Sequence, residues 1–278
     1  MKARISRRSL WLAALISSSS ALPQIATATI VEFDTVMGTF QVNLYDNDTP
    51  ATVANFLDYV NAGAYNGSIY HRSVPGFIVQ GGGFALDTMN FQVNAITANP
   101  AVINEPVFAN VRGTLSMAKL GGDPNSATNQ WFFNLADNTG NLDDQNGGFT
   151  AFGEVVGNGM DVLDDIAALP RFNLGGAFTE IPLLGDTNND PLDDTNYVIV
   201  NSVTIFDTTV DSAAALNPPL NTATSGGGTT PPPAPTSGGG GGGGGFGFFA
   251  LLGLLLAYRN RMRTIAAGSN LKNLRATD

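Results

Sequence analysis

Cysteine is absent from the 278 residues, and histidine occurs once, as His71. Without cysteine there are no disulfides, no thiol nucleophile and no thiolate-ligated metal. One histidine cannot build a multi-histidine zinc centre. Basic residues are also scarce where they would matter. Four of the 13 lie in the first 28 residues and five in the last 20. Arg72, Arg112, Lys119 and Arg171 remain for the stretch between, which carries 22 of the 23 carboxylates. Such a surface cannot neutralise phosphates, so nucleic acid is excluded as a partner. It suits an exported domain that must not adhere to anionic polymers.

The two ends read as targeting segments. Residues 1–28 have a basic start, a short apolar run from Leu10 to Ile16 and the small-residue stretch Ala26-Thr27-Ala28. This is the pattern of a cleaved signal peptide, with the mature chain beginning at Thr29. Residues 212–245 hold "TTPPPAPTSGGGGGGGG" and form a linker too rich in proline and glycine to bury a core. Residues 246–263 join the apolar "FGFFALLGLLLAY" to the basic "RNRMR", followed by a tail over 264–278. The basic cluster predicts a cytoplasmic C-terminus for a helix anchored in a membrane. The order of glycine run, hydrophobic helix and arginines resembles a bacterial sorting signal of the GlyGly-CTERM kind. That resemblance implies membrane attachment through the C-terminal helix, or its removal by processing.

Residues 29–211 are the expected globular domain. "TIVEFDTVMGTFQVNLY" reads as two strands with a turn near Met37-Gly38. Thr49 is the expected cap of a helix with Pro50 in its first position. Val53, Phe56, Leu57 and Val60 lie at helical spacing, and Gly63 ends it. A second helix is expected over Asp161 to Leu169. "RGTLSMA", "QWFFNL", "TAFGEVV" and "YVIVNSVTIF" read as strands. Many short strands, two helices and no βαβ rhythm predict a mainly β antiparallel barrel or sandwich with helices at its ends.

"YHRSVPGFIVQGGGF", Tyr70 to Phe84, sets Arg72 among apolar neighbours. From local chemistry alone this is as compatible with a buried salt bridge as with a functional cation. The segment resembles the signature of the cyclophilin family of peptidyl-prolyl isomerases. The resemblance extends through "TPATVANFLDYVNAGAYNGSIYHR", "RGTLSMAKLGGDPNSATNQWFFNL" and "NLDDQNGGFTAFGEVVGNGMDVLDDI", from about Ile30 to Phe206. It implies an eight-stranded antiparallel β-barrel capped by two α-helices. It also implies catalysis of X-Pro bond rotation without cofactor or metal. Arg72 then donates to the prolyl nitrogen, and Gln80 bonds the substrate backbone and orients the arginine. Phe77, Phe132 and Leu142 grip the proline ring, with Met117 near them. Ala118 and Gln130 line the groove for the preceding peptide. Two positions depart from the pattern. Asn141 stands where many members carry Trp or Phe, which predicts weaker cyclosporin binding. Phe149 stands where eukaryotic members carry histidine. His71 is expected to pack or hydrogen-bond, since the reaction moves no proton.

The function expected is isomerisation of X-Pro bonds in exported, folding proteins, by a monomer in the periplasm or cell envelope. The alternative is a tethered, non-catalytic proline-peptide binding module or holdase. "GDTNNDPLDD", from Gly185, reads as a solvated acidic insertion; Pro191 and Tyr197 stand where a calcium loop of the EF-hand type needs Gly and Glu.

Overall fold

The computed structural model describes residues 29–185, 187, 192–208 and 216–223. The expected signal peptide, the proline- and glycine-rich stretch from 224, the apolar segment and the tail lie outside them, as do Asp186 and residues 188–191 of the acidic insertion. Among the described residues no helix is long and apolar enough to cross a membrane.

The chain opens with a hairpin, β1 (Ile30–Thr35) and β2 (Gly38–Leu44), registered so that Phe33 faces Phe40. Period-two alternation turns Val31, Phe33, Phe40, Val42 and Leu44 inward. Helix α1 (Pro50–Asn61) follows and buries Val53, Phe56, Tyr59 and Val60 in the same core. Its start is not capped as expected. The Thr49 hydroxyl bonds back to the Tyr45 carbonyl at 3.1 Å. Glu105, 53 residues further on, accepts from the Thr52 amide at 2.9 Å and the Ala51 amide at 3.2 Å. A carboxylate serves this position well because the helix start presents free N–H groups and the positive end of its dipole.

Short strands come next: β3 (Ser68–Ile69), β4 (Arg72–Val74), β5 (Ile78–Gly81), β6 (Phe84–Asp87), β7 (Gln92–Ala95), β8 (Thr114–Met117) and β9 (Trp131–Asn134). The one-turn helix α2 (Thr139–Leu142) leads to β10 (Ala151–Val156), then helix α3 (Gly159–Ala168). The small pair β11 (Arg171–Phe172) and β12 (Ile181–Pro182) precedes the closing strand β13 (Ile199–Asp207). The main sheet runs β4-β5-β9-β8-β10-β2-β1-β13-β3-β6-β7, and every pairing within it is antiparallel. Strands β3 and β4 stand far apart in that order yet are separated in the chain only by Tyr70 and His71. The sheet therefore curls, and the chain stitches its two sides together through these two residues.

The expected class, a mainly β antiparallel barrel with helices, holds. The counts differ because bulges and bends cut the wall into eleven short strands, and because α2 forms a third, single-turn helix. The core is aromatic: Phe33 stacks on Phe40 at 5.1 Å, and Trp131 and Phe133 meet Phe33 edge-on at 5.3 and 5.5 Å. The glycine run at the end of β5, Gly81 to Gly83, is explained by this core. A Cβ on Gly81 or Gly82 would lie 2.5 Å from the Trp131 indole, and Gly82 also has φ +75°.

The globular unit does not stop at Asp211. Residues 216–223 return to the domain: Ala109 N–H donates to the Pro219 carbonyl and Asn221 N–H to the Val107 carbonyl, each at 2.9 Å. Leu216 packs on the cluster of Tyr45, Phe108 and Ala151. The first part of the expected linker is thus a strap on the domain.

Candidate active site

The site is built by alternation on four neighbouring strands. On β9, Trp131 and Phe133 enter the core, which leaves Phe132 and Asn134 on the outer face. The register then aligns one rung across the sheet: Arg72 faces Gln80, Gln80 faces Phe132, and Phe132 faces Ser116. The turn between β4 and β5 is compact because Val74 accepts from the Phe77 amide at 2.9 Å. Pro75 and Gly76, with φ +71°, fill its two central positions. This turn brings Phe77 over the face that carries Ile78, Phe132, Leu142 and Phe149, an apolar cluster separate from the main core. Phe132 and Phe149 meet edge-on at 5.8 Å. Ala118 packs against the same cluster.

At the polar end, the Gln80 side-chain amide donates to Gln130 Oε1 at 2.9 Å. Gln130 lies over Gly83, where a Cβ would come within 2.8 Å of its side chain. Arg72 keeps 18% of its side chain exposed. Its Nε and Nη2 both reach Glu180 Oε2 at 3.1 Å. Glu180 is held there by its own backbone, whose carbonyl accepts from Ser73 N–H at 2.8 Å. Burial lowers the Arg72 pKa and Glu180 raises it again. A guanidinium stays charged under such opposing pulls.

Under the apolar cluster lies a buried polar network. Asn110 donates to Asp143 Oδ1 at 2.9 Å and accepts from the Ser116 hydroxyl at 2.8 Å. Asn134 donates to Thr114 Oγ1 at 2.8 Å, and Asn138 donates to Asn134 Oδ1 at 2.7 Å and to the Phe77 carbonyl at 2.9 Å. The network fixes both Phe77 and the segment after Leu142. Lys119 completes the wall. Its ammonium donates to the carbonyls of Asn146 and Gly148 at 3.0 and 2.6 Å and sits 4.7 Å from the centre of the Phe149 ring. Burial brings its pKa down to about 8, against the pull of Asp123.

The structure therefore gathers Arg72, Phe77, Gln80, Ala118, Gln130, Phe132 and Leu142 on one face. Met117 is not among them. It is fully buried in the main core, opposite Trp131 in the register. The reason is period two: Ser116 and Ala118 face outward, so Met117 between them must face in. Ile78 takes the place beside Phe132 that sequence reading gave to Met117. The same alternation, applied from Gln80 back to Ile78, would have found it. Glu180 had no local signal, since its role depends on the packing of β12 against β4. Asn141 is exposed beside Leu142 and leaves that side of the cluster without an aromatic cover.

Residues 30–184 match the family described as cyclophilin type peptidyl-prolyl cis-trans isomerase/CLD. The chain belongs to that family. Curated relatives agree. A peptidyl-prolyl cis-trans isomerase of Acinetobacter baylyi is 39% identical over 172 residues, which are 62% of this chain and 87% of the relative. Peptidyl-prolyl cis-trans isomerase A of Dickeya dadantii is 44% identical, covering 54% of this chain and 76% of its own. Peptidyl-prolyl cis-trans isomerase B of Escherichia coli is 40% identical, covering 49% and 83%. The cyclophilin match ends before β13 and the strap.

Proposed function

We propose that this cyclophilin accelerates cis–trans rotation of X-Pro bonds in polypeptides, with the outer rung of the sheet as its active site. The carrying observation is the alignment of Arg72, Gln80 and Phe132 across three strands beside the Phe77–Leu142–Phe149 cluster. Rotation about a peptide bond is opposed by a resonance barrier of about 18–20 kcal/mol. Left alone, an X-Pro bond isomerises in tens to hundreds of seconds. No bond is made or broken, so neither nucleophile nor metal is required. The site must hold the twisted amide better than the planar one. The apolar cluster, with the partly buried Phe77 and Ala118 at its surface, supplies the contact surface for a proline ring. Arg72, fixed through Nε and Nη2 by Glu180, stands on the same rung as Gln80 and Phe132. There its charge stabilises the prolyl nitrogen lone pair as conjugation is lost. A preorganised donor in a water-poor site gives this effect its strength. Gln80 and Gln130 offer amide groups to the substrate backbone, which runs over Ala118.

The sequence supports a place outside the cytoplasm: a monomer in the periplasm or cell envelope, held by the apolar 246–263 segment or released from it. The acidic surface and the N-terminal pattern carry that reading. Arg72→Lys is the direct test of the mechanism. A lysine keeps the charge but loses the planar fork that Glu180 clamps. A fall of at least about tenfold in kcat/KM on an X-Pro peptide is expected. Unchanged activity would remove the guanidinium from the mechanism. Peptide binding by a folded wild-type chain without acceleration would instead assign a holdase.

A further inference from the structure

The strap ties residues 216–223 to the segment that carries Leu142 and Phe149. Asn221, almost fully buried, donates from its side-chain amide to the Asp143 carbonyl at 2.9 Å. Asp143 directly follows Leu142 in the apolar cluster. A Cβ on Gly148, which directly precedes Phe149, would lie 3.2 Å from the same Asn221 amide. One buried side chain thus braces the backbone behind two walls of the pocket. Asn221 then accepts the Ala223 amide at 2.9 Å, which turns the chain at this point. The next prolines are Pro231, Pro232, Pro233 and Pro235, beginning eight residues after Ala223. Eight peptide units reach up to about 27 Å, and the strap is already anchored at Asp143, the residue next to Leu142.

We propose that residues 230–236, Thr-Pro-Pro-Pro-Ala-Pro-Thr, are an intramolecular ligand of the Phe77–Phe132–Leu142 pocket. Its Ala234–Pro235 bond is the one best shaped for the groove. The alanine has no bulk to clash with Ala118 and Gln130, and Pro235 fills the apolar cluster. This inference rests on the isomerase reading of that pocket. A short covalent connection presents the segment at an effective concentration on the order of millimolar, which competes with free polypeptide without blocking the site. An incoming substrate must displace it, so the strap and segment raise the threshold for weakly binding clients.

The test compares the full 278-residue chain with a full chain carrying P231A, P232A, P233A and P235A. Two readouts are taken: kinetics on a short X-Pro peptide, and the NMR methyl signals of Ile78 and Leu142 without added peptide. The wild-type chain is expected to show a KM about three- to tenfold higher at equal kcat. Its methyl signals are expected to be displaced from those of the variant, by an amount independent of protein concentration. Identical methyl signals and identical KM, with activity present in both, would overturn the inference and leave the isomerase reading intact. Displaced signals that grow with protein concentration would also overturn it, since the occupant would be a second copy. Displaced, concentration-independent signals with no isomerase activity in either chain would uphold the self-ligand as a binding event and defeat the catalytic reading instead.

Discussion

Strand β9 carries two different proteins on its two faces. Trp131 and Phe133 point into the aromatic main core, where they meet each other and Phe33 edge-on. Phe132, between them, points outward to a smaller cluster with a charged group at one end and a polar network beneath it. Three consecutive aromatics therefore do two kinds of work. The inner pair holds the sheet in its curl; the middle one is held by that curl at the height where Arg72 and Gln80 arrive. Their hydrophobicity is the same, and only the pleat separates a structural ring from a functional one.

The largest expected effect breaks the comparison directly. Phe133→Ala removes a fully buried ring and is expected to cost about 3–5 kcal/mol of stability. Phe132→Ala, in the smaller outer cluster, is expected to cost less stability while it removes most isomerase activity. Denaturant melts of the two variants, beside activity at a temperature where both are folded, measure the contrast. Equal losses of stability would mean the outer cluster is simply more core.

A second test sharpens the boundary through His71, which lies between the two sides of the sheet and packs edge-on against Phe84 at 5.1 Å. Burial, and next the nearby Arg72 charge, lower its pKa to about 4, with smaller opposing contributions from Ile69 and Gln130. The folded protein therefore holds the imidazole neutral, while the unfolded chain takes up a proton near 6.5. Between those values the unfolded state binds more protons, so stability falls as pH drops from about 6.5 towards 4. The loss amounts to about 3 kcal/mol in all. His71→Gln is expected to flatten that part of the stability profile. A slope unchanged by the substitution would assign the acid sensitivity elsewhere.

The smallest effect concerns the outer face alone. Glu180→Gln keeps the shape of the side chain that clamps Arg72 but removes its charge. The pair is partly open to water, with 40% of the Glu180 side chain exposed, so the expected cost is about 1 kcal/mol, or about fivefold in kcat/KM. The loss should fall mainly in kcat, with the melting temperature nearly unchanged. A loss confined to KM would make Glu180 part of substrate binding rather than of arginine placement.

Much of this was legible in the sequence because it depends on local periodicity. The β1–β2 hairpin, α1, α3 and the strands around Leu115, Phe132 and Phe152 all follow from alternation or helical spacing. The motif around Arg72 carried most of the site. What was not legible depends on contacts between distant segments. Glu105 caps α1 from 53 residues away, and Glu180 reaches Arg72 only because β12 docks on β4. The strap looked like the start of a linker, since its prolines and small residues bury little surface by themselves. Its place is fixed by two backbone pairings with Val107 and Ala109 and by one asparagine amide. Met117 departs from the expected site for a local reason: the pleat through "TLSMA" turns Ser116 and Ala118 outward and Met117 into the core.

The most direct test of the account is the rate of X-Pro isomerisation by Arg72→Ala, measured beside its melting temperature and those of the wild-type chain. Arg72 lies on the outer face and its partner Glu180 can be solvated when left alone. The variant should therefore melt within a few degrees of wild type, by about the shift a 1 kcal/mol change produces. It should lose at least about a hundredfold in kcat/KM, the scale of removing one preorganised donor from a developing charge. Near wild-type rates in a folded Arg72→Ala chain would contradict the central claim that the outer rung of the sheet performs the chemistry.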